Sequence, residues 1–214
     1  TIITTDGYCS DTIHNLVISP CSNINFTIKA YIQGYYAYGG YMNSTLYNQG
    51  LLQYPSYTDS ILVVLRDANA PYTITYQAMG LLQLDGYIHL LLPTQLFNNS
   101  YYITLKHRNA VETWSANPII LNGNTNYDIT TAANKAYGDN QAEVEPGIFA
   151  LFSGDINQDG YIDSFDFPLL DTDIFNGESG FYVNTDLNGD GFVDSFDFPV
   201  FDVNSFNGVG VMMP

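Results

Sequence analysis

Apolar and polar residues alternate with a period of two along much of the first 150 positions. Residues 23–31 (NINFTIKAY) follow this rule, as do 59–65, 72–78 and 101–106. This is the pattern of strands with one buried face. Within 81–91 the dipeptide Asp85-Gly86 sits between apolar flanks, the signal of a short hairpin. Shorter strands are predicted over 119–121, 127–130 and 148–152, with Asn117-Pro118 and Asn122-Gly123 as turns. No long helix is predicted before position 160. Short, evenly spaced strands of this kind predict an antiparallel β-sandwich, immunoglobulin-like or prealbumin-like, over residues 1–150.

Beyond position 150 the pattern changes to an internal repeat. Asp155-Ile-Asn-Gln-Asp-Gly-Tyr-Ile-Asp-Ser-Phe-Asp-Phe-Pro recurs 31 residues later as Asp186-Leu-Asn-Gly-Asp-Gly-Phe-Val-Asp-Ser-Phe-Asp-Phe-Pro. Oxygen-bearing side chains fall at loop positions 1, 3, 5, 9 and 12: Asp155, Asn157, Asp159, Asp163 and Asp166, then Asp186, Asn188, Asp190, Asp194 and Asp197. Glycine stands at position 6. This is the spacing of a calcium loop, because calcium takes six to eight hard oxygens from a tightly wound chain. Tyr161 and Phe192, at position 7, are expected to offer main-chain carbonyls, and Ile162 and Val193, at position 8, to pack inward. Two calcium ions are expected.

Charge strengthens this expectation. All five Lys and Arg precede position 150, whereas twelve of the 22 acidic residues follow it, so the two regions carry −5 and −12. A short segment of charge −12 needs neutralising cations to fold compactly. The net charge of −17 excludes nucleic acid as the leading partner. No apolar run approaches the length of a membrane span, and no membrane insertion is expected.

The repeats resemble the calcium-binding segment of dockerin type I domains, over roughly residues 153–208. Like that family they carry Asp at position 12 and have a strand-like segment, 147–153, in place of an entering helix. The resemblance implies a small α-helical dockerin-like domain over 151–214 and a cohesin-like partner met through loop positions 10 and 11, here Ser164-Phe165 and Ser195-Phe196. The sequence has Asp171-Thr172 and Asp202-Val203 where the family carries basic residues. It also has Pro168 and Pro199 near the expected second helical turn. These departures turn expectation away from a cohesin of the cellulosomal kind. A wider resemblance, from about residue 62 to the end, rests on Lys106-His-Arg-Asn, Glu112-Thr-Trp-Ser-Ala-Asn-Pro and Tyr137-Gly-Asp-Asn-Gln. It is to a β-sandwich plus dockerin-like C-terminal region of large secreted bacterial proteins.

Other features bear on location and activity. The chain opens at Thr1 without a leader pattern and reads as a mature exported chain, secreted or on a cell surface. In that setting Cys9 and Cys21 are expected to form one disulfide, the alternative being two buried thiols. Asn25, Asn43 and Asn98 head formal glycosylation sequons. No nucleophile, phosphate-loop or zinc-hydrolase motif occurs, and His14, His89 and His107 lie on predicted strands or their ends. Glu112, Glu143, Glu145 and Glu178 read as surface residues, not a glycosidase pair. Lys106-His107-Arg108 and Glu112-Thr113-Trp114 are expected to cap one end of a sheet with a local ion pair and a buried Trp. Tyr31, Tyr35, Tyr36, Tyr38, Tyr41 and Tyr47, around Gly34, Gly39 and Gly40, offer a glycan or protein platform, or else strand core plus a Tyr-rich loop.

Two functions follow. The leading expectation is a non-enzymatic, calcium-binding structural protein that self-assembles or adheres as a cell-surface fibre subunit, through sheet edges or the N-terminal arm Thr1-Ile-Ile-Thr-Thr. The alternative is a dockerin-like anchoring module with a cohesin-like or carbohydrate partner.

Overall fold

The alternation read from the sequence becomes the core of a sandwich. The computed structural model describes residues 8–11, 17–20, 23–50 and 56–214, the first two spans along the backbone alone. The strands run in chain order as β1 (Tyr8–Asp11), β2 (Val17–Pro20), β3 (Ile24–Lys29), β4 (Tyr36–Tyr38), β5 (Tyr41–Met42), β6 (Tyr57–Asp67) and β7 (Ile74–Gln83). They continue as β8 (Tyr87–Leu92), β9 (Ser100–His107), β10 (Ala110–Trp114), β11 (Ile119–Ile120), β12 (Asn124–Asp128), β13 (Ala142–Glu145) and β14 (Ile148–Ala150). One turn of helix, α1 (Thr45–Asn48), precedes β6, and two longer helices, α2 (Phe167–Asn176) and α3 (Phe198–Phe206), close the chain.

One sheet has the order β10-β9-β6-β7, with β11 also paired to β9, and the other has the order β12-β3-β8. On β3, Ile24, Phe26 and Ile28 are buried while Asn25 is exposed. Ile61, Val63 and Leu65 of β6, Ile88 of β8 and Leu105 of β9 join them in one apolar cluster. Stacking two inner faces in this way removes both from water.

Two expectations are corrected. The Asp85-Gly86 turn does not close a hairpin: β7 pairs with β6 in one sheet and β8 with β3 in the other. The turn carries the chain around the sandwich corner. Gly86 has φ +86 there, and a Cβ on it would lie 2.7 Å from the Ala30 carbonyl. The sandwich is also not wholly antiparallel, since β12 pairs with β3 in parallel, Asn124 opposite Asn25 through Asp128 opposite Lys29. Local alternation fixes a strand but not the direction of its neighbour.

A second apolar cluster holds Ile156, Ile162, Leu170, Leu187, Val193 and Phe201 of the C-terminal region, together with Val111 from β10. Ile162 and Val193 thus pack inward as expected. Pro168 and Pro199 are second in α2 and α3, in the first helical turn and not the second. A first-turn amide has no intrahelical acceptor, so proline costs nothing there.

The Cys9–Cys21 disulfide, the N-terminal arm and His14 lie outside the described residues, apart from the Cys9 backbone in β1. The six tyrosines divide. Tyr31 and Tyr35 are buried, Tyr36 is half-buried, and Tyr38, Tyr41 and Tyr47 are exposed. Tyr31 donates its hydroxyl to the Gly40 carbonyl, and the Gly40 amide donates to the Tyr36 hydroxyl, folding the β4–β5 ribbon over its own core.

The C-terminal region is stitched to the sandwich at Gln33 and Gly34. The Asn204 amide donates to Gln33 Oε1 and to the Ser153 carbonyl, both at 2.7 Å, and the Gly34 amide donates to Ser153 Oγ at 3.0 Å. A Cβ on Gly34 would fall 1.9 Å from the Leu187 carbonyl oxygen. Gly34→Ala is therefore expected to force this seam apart and destabilise the protein by about 1–3 kcal/mol, measured by denaturant unfolding.

Candidate metal centre

Each repeat winds its acidic residues onto its own backbone. In the first loop, Asp155 Oδ2 accepts from the Gly160 amide at 3.2 Å. Asp166 Oδ1 accepts from the Ile156 and Asn157 amides, and Asp166 Oδ2 from the Asp163 amide. The second loop repeats this with Asp186 and Gly191, and with Asp197 accepting from Leu187, Asn188 and Asp194. Asn157 and Asn188 each accept from the amide two residues on, as do Asp159 and Asp190. Asp163 and Asp194 do the same. These turns hold all ten side chains in their loops, with Asp166 and Asp197 at the N-terminal ends of α2 and α3. Tyr161 and Phe192 are exposed at the seventh positions.

The two copies are also exchanged. The Ile162 amide donates to the Val209 carbonyl, beyond α3, and the Val193 amide donates to the Glu178 carbonyl, beyond α2. Each loop is therefore tied to the segment that follows the other loop's helix.

The loops are electrostatically unfinished. Asp155 is 2% exposed, and its Oδ1 is buried without a hydrogen-bond partner. Burial, and then the charges of Asp166 and Asp159, push its carboxyl up to about 7. Burial likewise pushes Asp197 up to about 6 and raises Asp166 and Asp186. Buried carboxylates this close together need a cation to stay ionised. Among the described residues, no set of three or more His, Cys, Asp or Glu side chains forms a metal cluster. The loops instead mix carboxylates with Asn amides and main-chain carbonyls, an all-oxygen set that fits a hard ion such as calcium.

The surroundings of the two loops differ, and sequence reasoning missed this. Asn109, from the turn after β9, donates to the Asp186 carbonyl at 2.9 Å and to the Tyr35 hydroxyl at 3.2 Å. Arg108 Nη2 donates to the Tyr35 hydroxyl at 2.6 Å, Nη1 donates to the Val183 carbonyl, and Nε donates to Asp59 Oδ2 at 3.1 Å. Asn43 Nδ2 donates to the Asn188 carbonyl at 3.1 Å. Gln49 donates to Asp186 Oδ2 at 2.8 Å. Lys106-His107-Arg108 is thus not simply a cap on a sheet, because Arg108 reaches the Val183 carbonyl just ahead of the second loop and the neighbouring Asn109 reaches its first residue, Asp186. The expected ion pair is present, with Glu112 bridging Lys106 and Arg66, and Trp114 is 3% exposed. Glu143 and Glu145 accept from the amides of Gly147 and Gly39. His89 lies on β8 beside Thr27.

Residues 153–204 match the dockerin type I domain. Domains of this type generally bind calcium, which agrees with the oxygen set and the orphaned Asp155 atom. No curated protein matches the chain. Among solved structures, a chain of a type II cohesin–X–dockerin complex from Acetivibrio cellulolyticus is similar at 15% identity. That match covers 84% of this chain and 95% of that one, with a TM-score of 0.49. S.CueP is similar at 10% identity over 54% of this chain and 65% of its own, with a TM-score of 0.31. The fold is mainly β with a dockerin region at its C-terminal end.

The buried anchor beneath the dockerin region is testable by pH. Asp59 is fully buried beside His107 and Arg108. Burial would raise its carboxyl, but the neighbouring His107 and Arg108 hold it at about 2, below the ordinary 3.8. A lowered folded value stabilises above the unfolded value and loses that stabilisation as pH falls through the folded one. Unfolding monitored from pH 5 to pH 2 should therefore show a loss of roughly 2 kcal/mol between pH 4 and pH 2 that Asp59→Asn lacks.

Proposed function

We propose that this chain is an exported, non-catalytic anchoring module, in which a dockerin-like region holds two calcium ions and docks a cohesin-like partner. In this reading residues 1–150 form the sandwich unit and 151–214 the calcium unit. Asp155, Asn157, Asp159, the Tyr161 carbonyl, Asp163 and Asp166 hold one ion. Asp186, Asn188, Asp190, the Phe192 carbonyl, Asp194 and Asp197 hold the other. Calcium supplies the counter-charge that buried carboxylates lack, so the region folds fully when loaded.

The match of residues 153–204 to the dockerin type I family carries this reading. The surface chemistry supports it. Phe165 and Phe196, at equivalent loop positions, are 72% and 73% exposed, and Phe175 and Phe206 are 89% and 90% exposed. Apolar rings on a segment without any Lys or Arg suit a partner with an apolar groove and a basic rim. No comparison supports self-assembly into a fibre, and the anchoring alternative accounts better for the dockerin match. Among the described residues, no helix is long and apolar enough to cross a membrane.

Calorimetry of the chain against purified cohesin domains should show binding in calcium and none in excess chelator. Phe165→Ala combined with Phe196→Ala should weaken it at least tenfold while circular dichroism stays unchanged. Failure to bind any cohesin, together with calcium-dependent polymers in sedimentation, would return the fibre reading. A separate calcium titration should show helix content rising on loading, and Asp159→Ala and Asp190→Ala should each remove one binding event.

A further inference from the structure

The duplicated loops share a sequence grammar but not a setting. The first carboxylate of the first loop, Asp155, has one oxygen bonded to the Gly160 amide and the other without a partner. The equivalent carboxylate of the second loop is saturated. Asp186 Oδ1 accepts from the Gly189 amide at 2.8 Å, and Oδ2 accepts from the Gly191 amide at 3.0 Å. Gln49 Nε2, 137 residues away in sequence, adds a third bond to Oδ2 at 2.8 Å.

Gln49 is itself fixed. It is 7% exposed, and its Oε1 accepts from the Tyr182 amide at 3.1 Å. That bond orients the amide so that its NH2 faces Asp186. The backbone on the other side of the loop is held as well, because Asn109 donates to the Asp186 carbonyl and Asn43 to the Asn188 carbonyl. Gly189, with φ +75, lies so close to Thr45 and Tyr35 that a Cβ would fall 2.3 Å from Thr45 Oγ1. The second loop is therefore seated in a cradle built from residues 35–49 and 108–109 of the sandwich.

We propose that Gln49 is a positioning residue for the ion of the second loop. By fixing the Asp186 carboxylate before the ion arrives, it makes the second site tighter than the first and couples that site to the sandwich. The inference rests on the two-calcium reading above. Its physical basis is preorganisation: a ligand already held in its bound rotamer loses less freedom when the ion binds. Among the described residues the first loop has no such side chain on Asp155, whose carboxylate is held by the Gly160 amide alone.

Calcium titration of the full chain by calorimetry separates the possibilities. In an Asp159→Ala background the remaining event belongs to the second loop, and Gln49→Leu should weaken it about tenfold. In an Asp190→Ala background the remaining event belongs to the first loop, and Gln49→Leu should leave it within twofold. Thermal unfolding adds a readout that a merely structural role would not produce, since Gln49→Leu should lower the midpoint more in calcium than in chelator. If the leucine variant does not fold, Gln49→Asn, which keeps the amide but draws it out of reach, tests the same point. Equal second-loop affinity with and without Gln49, or equal midpoint shifts in calcium and chelator, would overturn the inference. No calcium heat in the parent protein would instead overturn the two-calcium reading.

Discussion

The four residues 108–111, the turn after β9 and the start of β10, tie the sandwich to the C-terminal region through a buried charge, a main-chain link and an apolar contact. Arg108 joins the buried Asp59 carboxylate to the Val183 carbonyl, and Asn109 holds the Asp186 carbonyl. The Gly154 amide returns to the Asn109 carbonyl at 2.7 Å, and the Val111 amide donates to Phe152. Val111 then completes the C-terminal apolar cluster from outside it. That cluster is small, and small cores are marginal when isolated. Borrowing a valine and two polar side chains from a larger neighbour gives it a wall it does not encode itself.

Electrostatics explains why the polar part of this junction tolerates burial. Arg108 is the cation that faces Asp59, Tyr35 and, at longer range, Asp186, whose carboxyl it helps to keep ionised against burial. Breaking a buried pair of this sort leaves a charge without compensation, which costs far more than the pair gains over an apolar pair. Arg66 and Lys106 share a cavity with Asp155 and Asp159 of the first loop, but among the described residues both are paired with Glu112. The same twelve-residue motif therefore operates in two electrostatic environments within one molecule.

What the sequence disclosed follows from the range of the interactions. The winding of the two acidic loops was legible because it is local: every Asx turn closes within a few residues, and a duplicated motif repeats the message. The strands were legible from alternation, and the inward packing of Ile162 and Val193 from loop grammar. The Asp85-Gly86 turn misled, because a turn signal says that the chain reverses but not which sheet receives it. The parallel pairing of β12 with β3 joins segments about a hundred residues apart and leaves no local trace. Gln49 carries no local signal and Asn43 reads only as a sequon, and only folding brings them to Asp186 and Asn188. Asn109 stood inside a motif singled out for resemblance, yet its contact lies 77 residues away.

The free side of β10 has a consequence of its own. β10 ends the five-stranded sheet, and its outer edge is covered at Ala110 by Ser153 and at Thr113 by Met212. An uncovered edge strand is a template on which any extended chain can add itself. The C-terminal region thus acts as a lid on a hazardous edge. Whatever keeps that region folded also keeps the sandwich from recruiting unrelated strands, so the folding of the acidic loops and the solubility of the sandwich are one problem.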